Sequence, residues 1–216
     1  MKSSLRRADF HVILRRLLGY FGPQHWWPAD SAFEVCVGAV LTQNTAWSNV
    51  ERAIANLKQA RCLDAPSLLA LGHRKLASLL KPSGYFNVKT RRLKSFLSFF
   101  MKNYGGSFVR MKRRQTLLLR QQLLDVHGVG RETADSILLY ALAKPIFVVD
   151  AYTRRIFERH AWIHGDEDYD RLRLLVESDW KGCDNHSQTR DWNELHALLV
   201  AVGKNYCRPQ SPRCEE

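Results

Sequence analysis

Nearly every segment of this chain places its apolar residues three or four positions apart, which is the spacing of an α-helix that buries one face. The pattern is clear in residues 10–18 and again in residues 87–104, after which Gly105 and Gly106 stop the helix. One strand-like run, IFVVD at residues 146–150, is short and isolated, and we interpret it as a buried connector. The sequence therefore predicts an all-α fold with short loops.

The charge balance narrows the class of partner. The 216 residues include 33 Lys and Arg against 21 Asp and Glu, which gives a formal net charge of +12. An excess of this kind favours a polyanion, because each neutralised phosphate releases a counterion. Nucleic acid is the expected partner, although a basic surface without that function would have the same composition.

The apolar runs of the sequence are too short to form a transmembrane helix. None reaches the roughly 18 apolar residues that a membrane span requires. In residues 1–21, arginines interrupt the apolar positions, so the segment lacks the apolar centre of a signal peptide. These features predict a cytoplasmic protein of bacterial type, associated with the nucleoid and without contact to membranes.

The stretch VHGVGRETA, residues 126–134, places two glycines between two helical patterns. Glycine accepts positive φ angles and allows another backbone to approach closely. Consecutive amides in such a turn, together with Arg131 and the start of the next helix, would hold a DNA phosphate. A plain turn between two helices is the alternative, since Gly-x-Gly alone is weak evidence.

The order of a leucine pair, Gly-Val-Gly, Thr-Ala, a hydrophobic run and Val-Val-Asp resembles the helix–hairpin–helix DNA glycosylases of the endonuclease III superfamily, known as HhH-GPD proteins. The similarity continues in FEVCVGAVLTQNT (residues 33–45), SGYFNVKTRRL (residues 83–93) and ELHALLVAVGKNYC (residues 194–207). It extends from about residue 26 to the C-terminus.

The resemblance implies two helical domains with a DNA cleft between them. A six-helix barrel that carries the hairpin is expected at residues 25–143. The second domain is expected to combine residues 1–24 with residues 144–216. The implied partner is double-stranded DNA that contains a damaged base, bound by a monomer.

The resemblance assigns Asp150 as the catalytic carboxylate. Cleavage of an N-glycosidic bond develops positive charge at C1′ of the sugar, and a carboxylate stabilises this charge and orients or deprotonates a water molecule. Asp150 also precedes a helix that begins near Ala151, where it would serve as the N-cap. The two roles are compatible, because a cap holds the carboxylate rigidly.

The bifunctional branch of the family carries a lysine two residues after the second hairpin glycine, and here that position is Glu132. The lysine attacks C1′ and forms a Schiff base, whereas a carboxylate cannot form an imine. The expected enzyme is therefore a monofunctional glycosylase that uses water. Lys144 and Lys204 are other amines, but nothing in the motif places them at the base.

Aromatic residues predict a pocket for the base. An enzyme that acts on a base flips it out of the duplex and holds it against aromatic faces, and electron-rich indoles attract cationic rings. The Trp-Trp-Pro run, the LTQNT turn with its following tryptophan, and Pro-Ser-Gly-Tyr-Phe-Asn resemble the 3-methyladenine DNA glycosylase III branch, which also has a glutamate at the hairpin. The resemblance implies a pocket lined by Trp26, Trp27, Pro28, Trp47 and Glu132. Tryptophans of an ordinary core are the alternative.

Further residues are expected to contact DNA. Gln43 or Asn44 corresponds to the family's polar turn, which fills the gap left by the flipped base. The other expected contacts lie in the hairpin and in the Gly-x-Tyr-Asn-x-Lys segment: His127, Gly128, Val129, Gly130, Arg131 and Lys89.

Two cysteines form part of a metal-binding pattern. Cys207 and Cys214 are separated by six residues, as are the first two ligands of the family's 4Fe–4S loop, Cys-x6-Cys-x2-Cys-x5-Cys. The cluster requires four thiolates. We therefore expect a cluster in a longer parent chain and none bound by this chain of 216 residues.

Together these features predict a base-excision repair glycosylase that hydrolyses the N-glycosidic bond of a damaged base, specifically an alkylated purine such as 3-methyladenine. One alternative is an endonuclease III-like bifunctional glycosylase and AP lyase that acts on oxidised pyrimidines, and Glu132 disfavours it. The other is a non-catalytic helix–hairpin–helix module that only binds DNA, and Asp150 and the aromatic pocket disfavour it.

Overall fold

Helices account for the regular secondary structure of residues 7–215, the part of the chain that the computed structural model describes. The all-α prediction is confirmed. No helix within these residues has the length and apolar character needed to cross a membrane. In chain order the α-helices are α1 (Phe10–Phe21), α2 (Ala32–Leu41), α3 (Trp47–Gln59), α4 (Ala65–Ala70), α5 (His73–Leu80), α6 (Phe86–Tyr104), α7 (Phe108–Lys112), α8 (Thr116–Leu124), α9 (Arg131–Ser136), α10 (Ala151–Arg159), α11 (Tyr169–Glu177) and α12 (Asn185–Asn205). Short 3-10 turns follow α5 and α11, at Lys81–Ser83 and Ser178–Trp180, and a π-helical turn, Ile137–Ala141, follows α9.

The chain divides into two compact units. The terminal unit comprises Met1–Pro28 and Lys144–Glu216, and the central unit comprises Ala29–Ala143. The change of unit after Ala143 coincides with the expected boundary, whereas the first change comes after Pro28 and not after residue 24. The tryptophans at positions 26 and 27 therefore belong to the terminal unit, and not to the barrel domain in which the sequence interpretation placed them.

Capping residues fix where several helices begin and end. Asp150, Asp168 and Asp184 each precede a helix of the terminal unit and accept a hydrogen bond from a backbone amide of its first turn. Such a bond satisfies an amide that has no partner within the helix. Gly105 ends α6 with a φ of +59, a conformation that glycine adopts easily because it has no Cβ. The predicted stop of this helix is confirmed.

α2 forms the centre of the central unit. Every residue from Glu34 to Leu41 is buried, and the helix packs against α3, α6, α9 and the π-helical turn. From Val35 onward the helix is apolar on all sides, and such a helix requires this enclosure. The turn at residues 42–45 begins at the end of α2, and the hairpin at residues 125–130 lies between α8 and α9, so both loops start from packed helices.

α12 packs against α1 and α10 in the terminal unit. Its contact with α10 is close because Gly203 has no side chain: a Cβ there would lie 2.4 Å from Cδ1 of Tyr152. Residues 146–149 are buried and adopt no strand, so the prediction of a buried connector is confirmed. This connector leads directly to Asp150 and α10.

Candidate active site and DNA-binding loops

Asp150 lies at the N-terminus of α10. Its Oδ1 accepts a hydrogen bond of 2.7 Å from the backbone amide of Thr153, so the predicted N-cap is confirmed. The side chain keeps 12% of its surface exposed. The cap fixes one carboxylate oxygen and leaves the other, Oδ2, outside the cap.

His196, a buried residue of α12, is close to this second oxygen. Its Nε2 lies 3.7 Å from Oδ2 of Asp150, which is longer than a hydrogen bond. Burial lowers the pKa of His196, and the negative charge of Asp150 partly opposes this effect. Burial therefore favours the neutral form of the imidazole beside this carboxylate.

The two hairpin glycines have different conformations. Gly128 has a φ of +83, and a Cβ at this position would lie 2.1 Å from Cγ of Arg92. Both the backbone and the available space therefore require glycine at position 128. Gly130 has a φ of −90, and a Cβ there would meet no heavy atom within 4 Å. Of the two hairpin glycines, Gly128 has the expected positive φ and Gly130 does not.

The other hairpin residues differ in what they present to solvent. The backbone amide of Val129 donates to the carbonyl of Val126 at 3.0 Å, and the Val129 side chain is buried. This arrangement argues against the DNA contact expected of Val129, since both its amide and its side chain are engaged within the protein. His127 and Arg131 are exposed, as a contact with phosphate requires.

The structure distinguishes the two residues of the polar turn. The side-chain nitrogen of Gln43 donates to the carbonyl of Gly128 at 3.0 Å and to Oγ1 of Thr133 at 2.9 Å. Oε1 of Gln43 accepts a hydrogen bond from Arg92. Asn44 is exposed and has a φ of +53, which asparagine tolerates better than most residues. Gln43 is therefore bound to the hairpin, whereas Asn44 is accessible.

Lys89, which the sequence interpretation assigned to DNA binding, is an internal support of the central unit. The residue is 1% exposed, and its Nζ donates to the carbonyls of Leu41 at 2.8 Å and Ser83 at 2.6 Å. Burial and the positive charge of Arg92 lower the pKa of Lys89 to about 8. An ammonium group held in this way does not reach a phosphate, so a direct contact of Lys89 with DNA does not fit the structure.

Glu132 is exposed in the first turn of α9. A carboxylate near a helix N-terminus interacts favourably with the helix dipole, so this glutamate has a structural reason for its position besides the role expected in a base pocket. Pro28, also expected to line the pocket, is exposed as well.

The tryptophans expected to line the pocket are half-buried and belong to different units. In the terminal unit, the ring centroids of Trp26 and Trp27 are 5.5 Å apart, with an angle of 53° between the ring planes. Nζ of Lys204 lies 5.6 Å from the centroid of the Trp26 ring, so this ring already interacts with a cation. In the central unit, Trp47 begins α3 and its Nε1 donates to Glu51 at 2.8 Å.

The two cysteines of the iron–sulfur pattern have different surroundings. Cys207 is buried, and its Sγ accepts a hydrogen bond of 3.4 Å from Arg159, whereas Cys214 is exposed. Within residues 7–215, no group of three or more His, Cys, Asp and Glu side chains is arranged to hold a metal ion. These donors do not fit a cluster that needs four thiolates. The expectation that this chain binds no cluster stays a prediction.

Three residues of these regions were not identified from the sequence. Arg92 follows Lys89 by three positions on α6, and this spacing on one helix face was the only available signal. His196 is the one titratable residue within the apolar run of α12. Tyr85 is 73% exposed and has a φ of +43, and its place directly after a glycine gave a weak indication of an unusual turn.

Known proteins are similar to this chain in both sequence and fold. The profile of the HhH-GPD superfamily base excision DNA repair proteins matches residues 37–181. The chain is 44% identical to "Putative DNA repair glycosylase MJ1434" of Methanocaldococcus jannaschii, over 93% of this chain and 90% of that protein. It is 30% identical to endonuclease III of Thermotoga maritima, over 85% of this chain and 78% of that protein. The structure resembles that of H. pylori 3-methyladenine DNA glycosylase (MagIII) bound to 1,N6-ethenoadenine, with a TM-score of 0.79, 32% identity and coverage of 91% and 98% of the two chains. The protein therefore belongs to the HhH-GPD superfamily of base excision DNA repair proteins.

Proposed function

We propose that this protein is a monofunctional DNA glycosylase that hydrolyses the N-glycosidic bond of an alkylated purine in double-stranded DNA. The observation that carries the proposal is the geometry of Asp150, whose carboxylate is fixed at one oxygen by α10. A carboxylate held in this way stabilises the positive charge that develops at C1′ and orients or deprotonates the attacking water. His196 lies beside the second oxygen of this carboxylate at 3.7 Å, and its burial lowers the pKa of the imidazole.

Water is the proposed nucleophile because Glu132 occupies the position at which bifunctional relatives carry their lysine, and a carboxylate forms no imine. The similarity to endonuclease III of T. maritima favours a second candidate, a bifunctional glycosylase and lyase. In that case Lys204, whose ammonium lies over the Trp26 ring, is the candidate amine. Trapping with borohydride separates the two reactions.

The proposed substrate class is supported by the paired indoles of Trp26 and Trp27 and by the similarity to an H. pylori enzyme whose structure contains 1,N6-ethenoadenine. Aromatic faces stack on bases and contribute about 1–3 kcal/mol per base. Lys204 disfavours a cationic ring on the Trp26 face that it covers, because like charges repel. A test of the substrate therefore includes a neutral adduct, 1,N6-ethenoadenine, as well as cationic 3-methyladenine.

The hairpin is the proposed site for a DNA phosphate. Glycine at position 130 is not required by any close contact within the described residues, whereas a phosphate that approaches the backbone there would require it. His127 in the hairpin and Arg131, the first residue of α9, are exposed and supply positive charge or hydrogen-bond donors. We assign the filling of the gap in the duplex to Asn44, because it is accessible and Gln43 is bound to the hairpin.

An excision assay on duplexes that each carry one lesion tests this function. The protein should release 1,N6-ethenoadenine or 3-methyladenine and leave an abasic strand that breaks only after treatment with alkali. Borohydride should trap no covalent complex. Strand breakage without alkali, together with trapping that Lys204→Met abolishes, would establish the bifunctional alternative. If the protein binds DNA but releases no base, it is a non-catalytic module that only binds DNA.

A further inference from the structure

Lys89 joins two turns of the central unit. Its Nζ donates to the carbonyl of Leu41, the last residue of α2, and to the carbonyl of Ser83. The first carbonyl precedes the turn that carries the accessible Asn44. The second belongs to the turn 83–85, which carries the largely exposed Tyr85. The carbonyls at a helix end lack partners within the helix, so one buried ammonium satisfies two such groups and thereby ties the two turns together.

Arg92, three residues further along α6, joins the first of these turns to the hairpin. Its guanidinium donates to Oε1 of Gln43, and its aliphatic stem occupies the space in which Gly128 has no side chain. The amide nitrogen of Gln43 donates in turn to the carbonyl of Gly128 and the hydroxyl of Thr133. Three partners therefore hold Gln43, and one of them belongs to α6.

We infer that Lys89 and Arg92 are positioning residues, which keep the turn 42–45, the turn 83–85 and the hairpin 125–130 at fixed distances from one another. The inference rests on the proposed function, in which the hairpin holds a phosphate and Asn44 fills the gap that the flipped base leaves. Because a duplex is stiff, the hairpin can hold its phosphate while Asn44 fills the gap only if the hairpin and the turn 42–45 keep a fixed separation. A displacement of about 1 Å far from the reacting atoms can reduce the rate about 100-fold.

Lys94 on the same helix provides a matched control. Its Nζ also donates to two carbonyls, those of Leu69 at 3.2 Å and Leu71 at 2.5 Å. These carbonyls belong to the end of α4 and the connection to α5, which carry no group that we assign to DNA binding. Lys94→Met removes the same kind of hydrogen bonds as Lys89→Met, but from carbonyls outside the loops that we propose to contact DNA.

The test compares Lys89→Met, Arg92→Met and Lys94→Met on two substrates. One is a duplex with a paired lesion, and the other places the same lesion opposite an abasic site, where less energy is needed to extrude the base. On the paired duplex, Lys89→Met and Arg92→Met should lower kcat/KM about 100-fold. On the second substrate the loss should shrink to about tenfold or less, because the gap-filling step matters less. Lys94→Met should match the wild type on both substrates.

Two further measurements keep the outcomes distinct. The fluorescence of 2-aminopurine next to the lesion reports base extrusion before any chemistry, and Lys89→Met and Arg92→Met should reduce its rise. Thermal melts identify a variant that fails to fold. Arg92 is half-buried, so we expect Arg92→Met to fold. If Lys89→Met fails to fold, Arg92→Met alone tests the positioning role.

Equal losses on the two substrates, or a loss for Lys94→Met as large as for Lys89→Met, would overturn the positioning role. A wild-type protein that excises no lesion from either substrate would instead refute the proposed function.

Discussion

Asp150 combines a helix cap and a proposed catalytic charge in one side chain, and a single substitution separates the two. Asp150→Asn keeps an oxygen for the amide of Thr153 but loses the charge. Excision should fall at least about 100-fold while the melting temperature changes little. Asp168 caps α11 with a comparable bond of 2.8 Å to Arg171, so Asp168→Asn is the control and should leave excision unchanged. Near-normal single-turnover rates for Asp150→Asn would show that Asp150 caps α10 and has no catalytic role.

Trp47 tests the aromatic contact with the base. Trp47→Leu should weaken the stacking by about 1–3 kcal/mol, and the loss should be larger for cationic 3-methyladenine than for neutral 1,N6-ethenoadenine, because the attraction to the indole face needs a charge. Glu51→Gln keeps an acceptor for the indole N–H and controls for the hydrogen bond between the two side chains. Equal losses on both lesions, with a lower melting temperature, would identify Trp47 as a core residue.

At the scale of elements, the spacing of apolar residues predicted the helices well, whereas the DNA contact that the resemblance implies for Lys89 does not fit its burial. A lysine in an amphipathic pattern is normally assigned to solvent, because periodicity identifies the buried face and not the reach of a long side chain. Lys89 binds the carbonyl of Leu41, which lies 48 positions earlier in the chain. Arg92 and Gln43 are separated by a similar distance of 49 positions. Such contacts depend on how α2 and α6 pack, and no local pattern indicates them.

The buried amine on α6 should also give the fold a distinctive response to alkali. The pKa of Lys89 is lowered from 10.5 to about 8, so above pH 8 the folded protein releases a proton that the unfolded chain still binds. The free energy of unfolding should therefore rise with pH between about 8 and 10.5, by at most about 3 kcal/mol from this group. Urea titrations across this pH range give the free energy of unfolding of the wild type and of Lys89→Met. The difference between the two proteins isolates the effect of Lys89, because all other titratable groups are present in both proteins. A constant difference between the two proteins would contradict the lowered pKa.

At the scale of the whole molecule, the change of unit after Ala143 coincides with the boundary that the resemblance implies, whereas Trp26 lies in the terminal unit and not with the barrel expected at residues 25–143. The reason is a set of long-range contacts with α12. The backbone amide of Gln24 donates to Glu194 at 2.7 Å, across 170 positions of sequence, and Lys204 lies over the Trp26 ring. These contacts draw the segment before Pro28 to the terminal unit, and its composition does not reveal them.

The net charge of +12 predicts how binding to DNA responds to salt. The logarithm of the binding constant should fall linearly with the logarithm of the salt concentration, by about 0.9 for each phosphate that the protein neutralises. Arg131→Gln should reduce this slope by about one phosphate and weaken binding to damaged and undamaged duplexes alike, since a phosphate contact carries no information about the base. Lys58→Gln is the control, because Asp30 and Glu34 already pair with the Lys58 ammonium at 2.7 and 2.8 Å, and the slope should stay the same. An affinity that does not change between low and moderate salt would show that the basic surface is not used for DNA.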